Sequence, residues 1–120
     1  MKTVIAGSRI LSDYGLVEKA VKESGFDVTE VISGGASGID RLGEAYARNH
    51  GIPYKIFKAP WERFGRKAGI LRNEEMAKSA DAVIVIWDGK SRGSSSMIQI
   101  AKNRLLPLFV LEVDIKTDEG

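Results

Sequence analysis

Five apolar runs of strand length alternate with amphipathic stretches along this chain. Thr3–Ala6, Val28–Ile32, Tyr54–Phe57, Ala82–Trp87 and Leu108–Val113 read as strands. The fourth, Ala-Val-Ile-Val-Ile-Trp, is apolar at every position, as expected when helices cover both faces of a parallel sheet. Between the strands the spacing predicts four helices. The first, Tyr14 to Ser24, takes Asp13 as its N-cap, buries Val17, Ala20 and Val21, and stops at Gly25. The second carries Ile39, Leu42, Gly43, Tyr46 and Ala47 on one stripe and ends at Gly51, ahead of Pro53. The third spans Lys67 to Ser79. The fourth spans Ser95 to Arg104, with Ile98, Ala101 and Leu105 facing inward and Pro107 opening the last strand.

This alternation predicts a Rossmann-like, doubly wound α/β domain with a five-stranded parallel sheet. Right-handed crossovers on each side of the first strand favour the order 3-2-1-4-5, which places a ligand crevice beyond the carboxyl ends of strands 1 and 4. A chain of 120 residues, 43% of them hydrophobic, suits one such domain over residues 1–113, followed by a polar tail, 114–120. There is no cysteine and one histidine, His50, so a thiolate site, a zinc centre or a histidine triad is not expected. Neither a metal nor a cofactor is anticipated. A formal net charge of +2 argues against nucleic-acid binding by bulk electrostatics. The lack of any long apolar segment points to a cytoplasmic protein that leaves membranes alone.

The candidate chemistry gathers in the loops at the carboxyl edge. After strand 2 comes Ser33-Gly-Gly-Ala-Ser-Gly-Ile-Asp40, a glycine-rich turn from a strand into a helix. Its N–H groups and the positive helix end suit an anion such as phosphate, with Gly34, Gly35, Ser37 and Gly38 as the cradle. A plain tight turn that lets helix and sheet pack closely needs the same glycines. Asp40 suits a ribose hydroxyl or, equally, stabilises the first helical turn. After strand 1, Gly7-Ser8-Arg9 offers a close approach, a hydroxyl and a guanidinium.

Strand 3 leads into Ala59-Pro60-Trp61, then Phe64, Arg66 and Lys67; Trp61 suits stacking on a base or capping of the core. Arg72 and Asn73 lie inside the third helix, where their role depends on which face meets the crevice. After strand 4, Asp88 and the run Gly93-Ser94-Ser95-Ser96 form a second cradle at a helix start. The loops match neither the dinucleotide fingerprint nor a Walker A sequence, so redox chemistry on NAD and ATP hydrolysis rank low.

The order Gly-Ser-Arg, Ser-Gly-Gly-Ala-Ser-Gly-Ile-Asp, Ala68-Gly-Ile-Leu-Arg72-Asn-Glu-Glu-Met76 and Arg92-Gly-Ser-Ser-Ser-Met97 resembles the YspA-like branch of the SLOG superfamily. That superfamily includes the Lonely Guy phosphoribohydrolases, the DNA-processing protein DprA, and sensor domains for NAD-derived nucleotides. The resemblance implies a nucleotide or ADP-ribose-type ligand and self-association, here placed on the third and fourth helices. Arg72, Asn73 and Met76 are similar to the Arg-Lys-x-x-Met segment of Lonely Guy enzymes, and Gly93-Ser94 to the Gly-Thr of their phosphate motif. The glutamates that follow in those enzymes fall on Ser96 and Met97. Neither residue stabilises developing positive charge on a ribose or activates water.

The expectation is therefore a binding module, a sensor or, if phage-encoded, a sponge for a nucleotide immune signal in the host cytoplasm. No residue is given a firm catalytic role. A phosphoribohydrolase or other N-glycosidase using Asp88 or Asp40 as its acid is the first alternative. A DprA-like single-stranded DNA binder, using Trp61 with Arg63, Arg66 and Lys67, is the second.

Overall fold

β1 (Lys2–Gly7), β2 (Glu30–Ser33), β3 (Tyr54–Ile56), β4 (Ala82–Trp87) and β5 (Leu108–Glu112) form one sheet, all parallel, in the order β3-β2-β1-β4-β5. The structure, a computed structural model, describes residues 1–59 and 64–114 apart from the side chain of Arg66. The expected topology is the one observed. β1 and β4 lie at the centre, paired from Thr3↔Ala82 to Gly7↔Ile86, and their side chains alternate between two cores. Ile5, Ile84 and Ile86 point to the side of α1 (Tyr14–Ser24) and α2 (Ile39–Asn49), packing with Val17, Ala20, Ile39 and Ala47. Val4, Val83 and Val85 point to the side of α3 (Ala68–Ser79) and α4 (Arg92–Asn103), packing with Met76, Ala77, Met97 and Ala101. Double coverage explains why β4 has no polar position.

Local chemistry sets the helix ends largely as the sequence predicts. The Asp13 side chain accepts from the Gly15 N–H at 2.9 Å, and Gly25 closes α1 in the left-handed region. Val21, expected in the core, is half-buried beside it. Two expectations at α4 are corrected. The helix begins at Arg92 instead of Ser95, because Ser91 serves as N-cap with its Oγ accepting from the Ser94 N–H. Leu105 does not face inward: it is 89% exposed with φ 58°, the left-handed residue that ends the helix. Leu106 turns back, its N–H donating to Ala101 O at 3.0 Å, and packs on the core in its place.

α3 starts at Ala68 after a 3-10 turn over Gly65–Lys67. β2 opens at Glu30, two residues later than the apolar run suggests, while Val28 packs on the α1–α2 core. β3 is a short, exposed edge strand. Among the described residues no helix is long and apolar enough to cross a membrane. Of the tail, 114–120, all but Asp114 lies outside the described residues.

Candidate functional site

The carboxyl ends of β1 and β4 open where the winding reverses, and Ser8 ties the loops there together. Its backbone N–H donates to Ile86 O at 3.1 Å, and its carbonyl accepts from Ile39 N at the start of α2. Its hydroxyl accepts from the Asp88 N–H at 3.0 Å. Ser8 is fully buried, so this candidate ligand donor instead fixes the β1, β2 and β4 loops relative to one another. Gly38 completes the tie. At φ +74° it passes so close to the carbonyls of Ser8 and Arg9 that a Cβ would lie 2.5 Å from both.

Gly34 lets two side chains reach the turn after β2. A Cβ there would lie 2.8 Å from Asp40 Oδ2 and 2.9 Å from the Arg72 guanidinium. In that space Arg72 Nη1 donates to Gly34 O at 2.8 Å, while its Nε donates to Asn73 Oδ1 at 3.2 Å. Asp40, 5% exposed, accepts from the Ala36 N–H at 3.2 Å. Burial pushes its pKa up to about 6, against the Ala36 N–H and Arg72, which pull it down. Burial lowers the pKa of Arg72, with Asp40 opposing and the nearby Arg9 adding to the effect. Thus α3 turns Arg72 and Asn73 toward the crevice, the face that spacing alone left open.

Across the crevice, Asn73 Nδ2 donates to Gly93 O at 3.3 Å and holds the first turn of α4. The N–H groups of Arg92 and Gly93 belong to that turn and have no partner within the helix. Next to them stands Ser94, 4% exposed, whose Oγ has no hydrogen-bond partner. A buried hydroxyl without a partner costs about 1–3 kcal/mol. Asp88, by contrast, closes its own loop. Its Oδ1 accepts from Lys90 N at 2.9 Å and Ser91 N at 2.8 Å, and these bonds hold its pKa below the usual carboxylate range.

Two cavities share Arg9, Ala36 and Arg72. One, of about 490 Å³, lies against α4 and is lined by Gly7, Asp40, Asn73, Arg92, Gly93, Ser94 and Ser96 over a floor of Ala6, Met76 and Met97. The other, of about 580 Å³, lies over the glycine turn and is lined by Gly34, Gly35, Ser37, Arg41, Glu44, Ile56, Lys58 and Ala59. Of the expected residues, Ser8, Gly38, Ser95 and Asp88 line neither. Trp61, Pro60 and Arg63 lie outside the described residues, and so does the Arg66 side chain. Arg41 and Lys58 stand in none of the motifs read from the sequence, and Arg92 only at the head of the Arg92–Met97 stretch. All three sit within a few residues of a strand's carboxyl end or at a helix start on that edge, the position that signals them.

The ion pairs among the described residues are Lys78–Glu75 and Arg104–Glu74, so none involves Arg9, Arg41, Lys58, Arg72 or Arg92. Among the described residues, the carboxylates that line these cavities are committed elsewhere. Asp40 is bound to the turn, and Glu44 Oε2 accepts from Ser33 Oγ at 2.6 Å. The result is a groove lined by cations, most of them without an ion-pair partner among the described residues, with free helix-end donors and an apolar floor.

The sequence model of YAcAr, described as the YspA, cpYpsA-related SLOG family, matches residues 1–64. The chain is 31% identical over 118 residues to the Gene 61 protein of Mycobacterium phage D29, covering 90% of this chain and 94% of that protein. Its fold is similar to that of DNA processing protein A (DprA) from Streptococcus pneumoniae, with a TM-score of 0.73 and 22% identity. That match takes in 95% of this chain and 51% of the DprA chain, so this chain spans about half of that protein.

Proposed function

Because the chain belongs to the YspA, cpYpsA-related SLOG family, we propose that it binds a phosphorylated nucleotide-type small molecule, a nucleotide or an ADP-ribose- or NAD-derived compound, and holds it without cutting it. The observation that carries this reading is the unpartnered, buried Ser94 Oγ in the cavity at the start of α4. A phosphoryl group there takes the Ser94 hydroxyl and the free N–H groups of Arg92 and Gly93, with Arg9 and Arg72 supplying charge. The floor of Ala6, Met76 and Met97 suits the less polar part of the ligand. Ser96 lines this cavity where a cleaving relative would carry a carboxylate, which favours holding over hydrolysis.

A relative encoded by a phage supports a role in capturing a host nucleotide signal, beside the alternative of a sensor. Self-association through α3 and α4 belongs to the same proposal, supported by Ile70 and Leu71, both exposed on α3. A monomer mass by light scattering at working concentration would remove that part.

Titration calorimetry with nucleoside monophosphates, ADP-ribose and cyclic nucleotides tests the binding reading. Binding is expected for at least one, weakened about tenfold or more by Ser94→Ala. No heat from any member of the panel at millimolar concentration would end it. A second reading, cleavage of an N-glycosidic bond with Asp40 as general acid, draws on a carboxyl in the same cavity with a pKa near 6. Release of free base from a nucleoside monophosphate, abolished by Asp40→Asn, would favour it.

A further inference from the structure

The cavity over the glycine turn has its own cations, and nothing in the reading above uses them. Arg41 comes from the first turn of α2 and Lys58 from the segment just past β3, yet both line one cavity with Arg9 and Arg72. Neither is in an ion pair among the described residues. The carboxylate on this lining, Glu44, is buried and takes the Ser33 hydroxyl at 2.6 Å. Arg72 has the Asp40 carboxylate beside it, but Arg9, Arg41 and Lys58 share this hollow with Glu44 as the carboxylate of its lining, a positive excess that suits an anion. The turn beneath them is bare: any side chain at Gly34 would collide with Asp40 and Arg72.

Arg72, anchored at Gly34 O, stands between this cavity and the one against α4 and lines both. Its two hydrogen bonds engage Nη1 and Nε, leaving further N–H groups of the five on a guanidinium. Each cavity alone falls within the size range of a complete small-molecule site. A mononucleotide seated against α4 therefore leaves the second cavity to water.

We infer that the cavity over the glycine turn is a second anion subsite, built by Arg41 and Lys58 with Arg9, and that the natural ligand carries two separated phosphoryl groups on either side of Arg72. The ligand class is a small bis-phosphorylated compound of dinucleotide size. This inference rests on the proposal that the α4 cavity holds the first phosphoryl group.

The probes are AMP and the 5′-phosphorylated dinucleotide pApA, titrated calorimetrically into the wild-type protein, the Arg41→Gln/Lys58→Gln variant and Ser94→Ala. Arg41 and Lys58 are exposed, so the double variant should fold, and its thermal melt checks this. The expected result is pApA binding at least about tenfold tighter than AMP. The double variant should remove that advantage and leave AMP affinity within about twofold, whereas Ser94→Ala should weaken both probes. Equal affinity for the two probes, or an advantage that survives in the double variant, overturns the inference and leaves the α4 site standing. If neither probe binds, the inference is overturned, while the α4 site stands if ADP-ribose or a cyclic nucleotide binds and is weakened by Ser94→Ala.

Discussion

Asp40 shows how one buried side chain couples stability to pH. Its folded pKa of about 6 lies above the unfolded value of 3.8, so between those limits the folded protein holds a proton that the unfolded chain gives up. The stability it contributes is thus present below the unfolded value and is lost as pH rises through 6, an effect of roughly 3 kcal/mol at most. Thermal melts from pH 4 to 8 should show this decline, and Asp40→Asn should flatten it. The wild-type slope persisting in the variant would assign the effect to another group. An anion beside Asp40 favours the protonated form, so a phosphodiester such as a cyclic nucleotide, whose own charge is constant in this range, should bind more tightly at pH 5.5 than at 7.5. Calorimetry in buffers of different ionisation enthalpy would register the proton taken up. Ser94 supplies the complementary case. Replacing its unpartnered hydroxyl with alanine should leave the empty protein as stable or more so, by up to about 1 kcal/mol in urea unfolding, while ligand affinity falls. A loss of stability instead would mean that the hydroxyl has a partner in the folded protein.

At the scale of elements, the ends of α4 show what a sequence reveals and what it hides. The strands and their order were legible because an unbroken apolar run such as Ala82–Trp87 fits one environment, the middle of a covered parallel sheet. The start of α4 was not, since Ser91, Ser94 and Ser95 are all chemically fit to cap and only the Asp88 loop determines which one does. Leu105 misled by sitting at helical spacing two residues past the helix, where the chain had already turned left-handed. Glycine relieves the strain of that conformation, so Leu105→Gly should raise stability by up to about 1 kcal/mol, read as a higher urea midpoint with an unchanged slope. A lower midpoint would mean that the exposed leucine packs in solution, as it would in a self-associated form. The site was legible as a set of loops, because the fold sends every strand's carboxyl end to one edge. Its inner assignments were not: Ser8 and Asp88 look like ligand donors by type, yet their hydrogen bonds are spent holding the loops. Arg41 and Lys58 resemble any surface cations until the turn brings them to one hollow.

For the whole molecule, the net charge of +2 conceals a strong asymmetry. Arg9, Arg41, Lys58, Arg72 and Arg92 line one edge without ion-pair partners among the described residues, and Asp40 and Glu44 in the same lining are buried. Ligand affinity should consequently drop several-fold as sodium chloride rises from about 50 to 500 mM, where the screening length shrinks to a few ångströms. Affinity indifferent to salt would mean that binding runs through the apolar floor instead. The bond from Arg72 to Gly34 has a mechanical side as well. Arg9, the glycine turn, Arg41 and Lys58 come from the first half of the chain, whereas Arg72, Asn73 and Ser94 come from the second, and this bond fastens α3 to the far side of the sheet. A protein nicked between β3 and α3 would keep its halves together through the sheet and this clasp, and the ligand would act as a rivet through both. Dissociation of the nicked halves should slow when the proposed ligand fills the groove, which would make the candidate site a joint in the molecule as well.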